Sequence, residues 1–119
     1  MIETEKLVDT VVKGLQEKKG HSITTADLRQ IGDTICRFFV LCTGNSPSHV
    51  QSLAQSVDEM VRKEGGTHPA AVAGMQHAGW VAMDYGDVMV HIFLGEEREF
   101  YDLEHLWADA VLEDIPDLL

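Results

Sequence analysis

"GWVAMDYGDVMVHIF", residues 79–93, alternates apolar and polar side chains around a turn signal and so predicts a tight β-hairpin. With Tyr85 and Gly86 as the turn, Asp84 falls opposite Asp87, Met83 opposite Val88, Ala82 opposite Met89, Val81 opposite Val90 and Trp80 opposite His91. A four-residue loop would keep these faces, whereas a three-residue loop would shift them by one. In the favoured register Val81, Met83, Val88, Val90 and Ile92 make an aliphatic face that belongs in a core. The other face carries Trp80, Ala82, Asp84, Asp87, Met89, His91 and Phe93. That set reads as too polar for a second core and too aromatic for an ordinary wet surface.

Working outward, the flanking segments supply the layers that such a hairpin needs. Leu7, Val8, Val11, Val12 and Leu15 recur at helical spacing, and Gly20 ends the pattern. "SITTADLRQIGD" reads as a strand with a Gly-Asp turn signal, and "TICRFFVLCTG" as a central strand covered on both faces. In "TGNSPSHVQSLAQSVDEMVRKEGG", Ser46 is placed to cap a helix and Pro47 to start it. Val50, Leu53, Ala54, Val57, Met60 and Val61 form its apolar stripe, and Gly65 and Gly66 stop it. "THPAAVAGMQHA" reads as an irregular connection or a short edge strand. Downstream, "GEEREFYDLEHLWADA" places Phe100, Leu103, Leu106, Trp107 and Ala110 on one helical face with acids in the first turn. The tail "VLEDIPDLL" reads as a loosely docked end. Helices interleaved with strands and a hairpin imply an α/β fold, a mixed β-sheet flanked by helices, in a single domain over residues 1–119.

A formal net charge of -11 excludes a phosphate-gripping surface, because nine Lys and Arg residues are spread too thinly to displace counterions from nucleic acid. No direct nucleic-acid readout is expected. The acidic balance suits a basic partner, although acidity also serves solubility. No apolar run is long enough for a membrane span and the first residues lack a leader's basic or apolar segment, so a soluble cytoplasmic protein is expected. Cys36 and Cys42, six apart in one predicted strand, are expected to face the same way as buried free thiols.

The polar side of the hairpin admits several kinds of chemistry. Asp84 and Asp87 read either as turn formers beside a covered Trp80, or as acids flanking an aromatic anchor for a Lys- or Arg-bearing partner. Asp84, Asp87 and His91 are acceptable ligand types for a divalent metal. However, "TGNSPSHVQ" lacks the closely spaced carboxylates of a metal-dependent nucleotidyltransferase. Ser46 and His49 lack the G-x-S-x-G surroundings of a hydrolase nucleophile. "GNSPSHV" at a helix start is a weak anion-binding signal that capping alone explains. No cofactor is implied. Pairing of the Trp80 face with a second copy in a homodimer is a further alternative.

The run "WVAMDYGDVMVHIFLGEEREFYDLEHLWADA", residues 80–110, resembles the signature of the ribosome-silencing factors, the Iojap family, and the resemblance extends upstream through "FFVLCTGNSPSHVQSLAQSVDEMV". Trp80, Asp84, Gly86, Asp87, His91, Arg98, Tyr101, Leu103, Glu104 and Trp107 match the family's pattern. Ala73 stands before Gly74 where many members have Glu. The resemblance implies a nucleotidyltransferase-like fold without catalytic carboxylates. It also implies a translational repressor rather than an enzyme, which binds the large ribosomal subunit through the basic ribosomal protein fourteen and blocks joining of the small subunit when nutrients are scarce. The alternative is an atypical nucleotide-handling protein on the same fold. By the argument from the hairpin faces, Trp80, Asp84, Asp87 and Met89 are expected in the contact, with Tyr85, Arg98 and Tyr101 nearby and His91 among the partner-binding residues.

Overall fold

Seven apolar or small residues, Phe38–Gly44, form a strand with nearly every residue buried, in the middle of a six-stranded mixed sheet. The computed structural model describes residues 3–29, 36–101 and 111–117. In chain order these form α1 (Thr4–Glu17), β1 (His21–Asp27), β2 (Phe38–Gly44), α2 (Pro47–Gly65), β3 (Ala71–Ala73), β4 (Trp80–Asp84), β5 (Val88–Leu94), α3 (Gly95–Tyr101) and β6 (Val111–Ile115). The sheet runs β3-β4-β5-β2-β1-β6. Only β2 and β5 pair in parallel; every other neighbour is antiparallel. This is the α/β architecture expected from the interleaved pattern.

Both long helices cover one face of the sheet. Their apolar stripes meet Phe38, Val40, Cys42, Val81, Met83, Val88, Val90 and Ile92 in one core. Ser46 caps α2 by accepting the backbone N–H of His49 at 3.1 Å, Pro47 follows as the first helical residue, and Gly66 closes the helix in the left-handed region. The helices touch at Gly14, where an added Cβ would stand 2.9 Å from the Val57 α-carbon. There the Ser56 hydroxyl donates to the Gly14 carbonyl at 2.7 Å.

Four expectations need correction. The backbone turns at Gly86 and Asp87, one residue later than expected, with Gly86 at φ +86° and Tyr85 N–H bonded to the Val88 carbonyl. Glycine supplies the positive φ that the first central position of a II′ turn demands. Moving the turn by one residue shifts the register by two, so Trp80 pairs with Phe93, Ala82 with His91 and Asp84 with Met89, and each face keeps its members except Asp87, which leaves the Trp80 face for the turn and bonds Thr4 of α1. Asp84 is therefore not opposite Asp87. Second, the face away from the helices is a smaller core of its own, built on Ala26, Leu28, Cys36, Phe39, Leu41 and Phe93, with Trp80 and Met89 at its margin. Third, Cys36 and Cys42 lie in opposite cores, because the strand starts only at Phe38 and the preceding backbone is irregular; both are buried and neither is in a disulfide. Fourth, the tail is not loose at Val111–Ile115, which pairs with β1 as an edge strand. The expected helical stripe Leu103, Leu106, Trp107 and Ala110 lies outside the described residues, as does the Gly32-Asp33 turn.

Candidate partner-binding site

Strand alternation puts Trp80, Ala82 and Asp84 of β4 on the same face as Met89, His91 and Phe93 of β5. Across the other edge of β4, Ala71 and Ala73 of β3 pair with Asp84 and Ala82, which extends this face with two exposed small residues. The resulting surface is low and mainly apolar. Trp80, Ala82, Asp84 and Met89 are each partly exposed, whereas His91 and Phe93 lie buried beneath them.

Trp80 is held from two directions. Its ring stacks on Phe93, its cross-strand partner, at 5.1 Å between centroids and 28° between planes. Its indole N–H donates to Nδ1 of His91, the diagonal neighbour, at 3.0 Å. Indole nitrogen offers a hydrogen and no lone pair, so Nδ1 is the unprotonated nitrogen and the ring proton of neutral His91 sits on Nε2. His91 is 6% exposed and stands edge-on to Phe39 at 5.2 Å. Burial in these surroundings pushes its pKa down to about 4.

The acids have separate duties. Asp84 accepts the Gly86 N–H at 2.8 Å and so fixes the turn while its side chain stays partly exposed. Asp87 lies in the turn, accepts the Thr4 hydroxyl at 2.9 Å and stands 3.9 Å from Arg37. Among the described residues, no three His, Cys, Asp or Glu side chains converge as metal ligands, so Asp84, Asp87 and His91 do not form the metal set that their chemistry allowed. The Ser46 and His49 pair is structural: Ser46 caps a backbone N–H, and the imidazole bridges Asn45 N–H (2.9 Å) to the Lys18 carbonyl (2.8 Å).

Of the remaining sequence candidates, Tyr85 faces the helix side, Arg98 lies on the Trp80 face but over β2 and β1, and Tyr101 lies outside the described side chains. Tyr85 packs against the helix-side core with its hydroxyl buried and, among the described residues, unbonded; burial pushes its pKa up. Arg98 laces the strand ends, its guanidinium donating to the Ser22 carbonyl (2.5 Å), Thr43 Oγ1 (3.0 Å) and Thr24 Oγ1 (3.1 Å). Tyr101 ends α3, and its side chain lies outside the described residues. Two features were missed in the sequence. Ala71 and Ala73 line the surface, and the alternation in "AVA" was their only signal. Glu97 brings its carboxylate beside Gly79, where a Cβ would meet Oε1 at 3.6 Å, so a second acid flanks the residue preceding Trp80.

The whole chain, residues 1–119, matches the family model described as "Ribosomal silencing factor during starvation". The ribosomal silencing factor RsfS of Halalkalibacterium halodurans is 35% identical over 109 residues, covering 92% of each chain. A Mus musculus protein named mitochondrial assembly of ribosomal large subunit protein 1 is 28% identical over 79 residues, which are 65% of this chain and 35% of that protein. A crystal structure of a Chromobacterium violaceum protein has the same fold, with a TM-score of 0.84 at 28% identity over 99% of this chain and 94% of that one.

Proposed function

The chain belongs to the ribosomal silencing factor family, and from that premise we propose that it represses translation by occupying the large ribosomal subunit where the small subunit must join. The contact is to a basic ribosomal protein, protein fourteen of the large subunit, and the action is steric rather than catalytic. One observation carries this reading: an aromatic residue, Trp80, is only partly buried on an apolar face that also carries Asp84. Such a composition fits a hot spot for a partner offering Lys or Arg, with the indole setting dissociation and the acids setting encounter. A net charge of -11 attracts a basic protein and repels exposed ribosomal RNA. The mouse relative's name refers to the large subunit, and the family description refers to starvation, which supports both the target and the circumstance. Among the described residues no helix is long and apolar enough to cross a membrane.

In this reading Trp80, Ala82, Asp84 and Met89 touch the partner, with Ala71 and Ala73 at the edge. Asp87 and Tyr85 shape the hairpin tip, while Arg98 holds α3 to the sheet. Co-sedimentation with purified large subunits, followed by addition of small subunits, tests it. Trp80→Ala is expected to weaken binding by about 2 kcal/mol or more, roughly 30-fold, and to restore subunit joining. Unchanged binding by a folded Trp80→Ala protein would refute the docking surface.

A further inference from the structure

We propose that His91 is the positioning residue of this surface: by accepting the indole N–H of Trp80, it selects the one ring orientation in which the partner is met. The inference deepens the docking reading and rests on it. Stacking on Phe93 fixes the plane of the indole but not its sense, because a half-turn about χ2 gives a second stacked pose with the N–H on the other side. A hydrogen bond distinguishes the two poses. At 3.0 Å from Nε1, His91 Nδ1 supplies the acceptor, and only the observed pose makes the bond.

His91 is itself immobilised. It is 6% exposed, stands edge-on to Phe39 and is nearly parallel to Phe93, with 19° between planes and 6.0 Å between centroids. Its neighbours along β5 and across the sheet are Val90, Ile92, Ala82 and Leu41. At such a position Val or Phe would fill space at no desolvation cost. An imidazole adds a nitrogen lone pair at the reach that Trp80 requires. A side chain already held in its bound rotamer loses less entropy on docking, so the bond contributes to affinity without touching the partner.

Three variants test this. His91→Asn keeps an acceptor near the place of Nδ1, His91→Leu removes it, and Trp80→Ala removes the anchor. The Trp80 indole N–H is followed by proton–nitrogen NMR, assigned by its loss in Trp80→Phe, and affinity is read by co-sedimentation with large subunits. Folded His91→Leu is expected to speed exchange of the Trp80 indole hydrogen and to bind about tenfold more weakly. His91→Asn should recover most of that loss, and Trp80→Ala with His91→Leu should bind no worse than Trp80→Ala alone. If His91→Leu does not fold, His91→Phe makes the same comparison with an aromatic plane and no acceptor. Wild-type affinity in a folded acceptor-less variant, beside lost binding in Trp80→Ala, would overturn the role of His91 and leave the docking surface standing. Wild-type affinity in Trp80→Ala would overturn both.

Discussion

Gly74 lies so close to Trp80 that a Cβ on it would overlap the Trp80 carbonyl oxygen, and its φ of +90° is one that L side chains rarely adopt. The Gly74 carbonyl in turn accepts the Ala78 N–H at 2.8 Å, closing the bend that delivers the chain into β4. Gly74→Ala therefore faces both a backbone penalty and a clash with main chain that cannot rotate away. Destabilisation of about 2 to 3 kcal/mol is expected in urea titration, together with weaker binding to large subunits, because the strand displaced is the one bearing Trp80.

The same glycine shows what the sequence discloses and what it conceals. Periodicity alone located α1, α2 and the aliphatic hairpin face, since burial on one face forces a period of 3.6 or 2 on the residues that make it. The hairpin turn was misplaced by one residue because "DYGD" offers two overlapping turns, and the choice depends on Arg37 and Phe38, whose N–H groups both bond the Asp87 carbonyl from a distant strand. For the same reason the second core was missed: Phe39 and Leu41 lie far from Phe93 in sequence, and only the parallel pairing of β2 with β5 brings them beside it. Trp80 was legible as a candidate. Its hold by His91 was not, because a diagonal contact needs the register first.

Gly14 makes a sharper test of packing against propensity. In a solvent-facing helix, Gly→Ala stabilises by about 1 kcal/mol. At Gly14 the added methyl would meet the Val57 α-carbon at 2.9 Å and the Ser56 carbonyl at 3.2 Å, so α1 must retreat from α2 and stretch the Ser56 hydrogen bond. Overpacking of this kind costs about 1 to 3 kcal/mol. Gly14→Ala is accordingly expected to lower the urea midpoint, and a raised midpoint would mean that the helix crossing is looser than described.

His91 gives stability a pH dependence of definite sign. Its folded pKa of about 4 lies below the unfolded value of 6.5, so between these values the unfolded chain binds the extra proton. The neutral form's contribution is complete above about pH 6.5 and is lost as pH falls toward 4, up to an amount on the order of 3 kcal/mol. The described rings around it, Trp80, Phe39 and Phe93, do not titrate in this range. Asp27, held low by Arg29, loses its own contribution only at lower pH. Urea midpoints at pH 7, 5.5 and 4.5 should fall more steeply for the wild type than for His91→Asn; equal slopes would contradict the burial of a neutral imidazole.

Arg98 separates stability from binding. Its guanidinium reaches the Ser22 carbonyl at a residue held at φ +50°, and it also engages Thr24 of β1 and Thr43 of β2, so one side chain fastens α3 across two strands. Arg98→Met keeps the aliphatic stem and removes the donors, so the Ser22 carbonyl and the Thr43 hydroxyl lose these bonds while the Thr24 hydroxyl keeps Asp114 Oδ1 at 3.0 Å; a loss of about 1 to 3 kcal/mol is expected. The guanidinium bonds Thr43 and Thr24 on the same face of the sheet as Trp80 but two and three strands away from β4, so folded Arg98→Met should bind large subunits with wild-type affinity. A large drop in affinity with stability unchanged would instead bring Arg98 into the ribosomal contact and extend the docking surface to the strand ends.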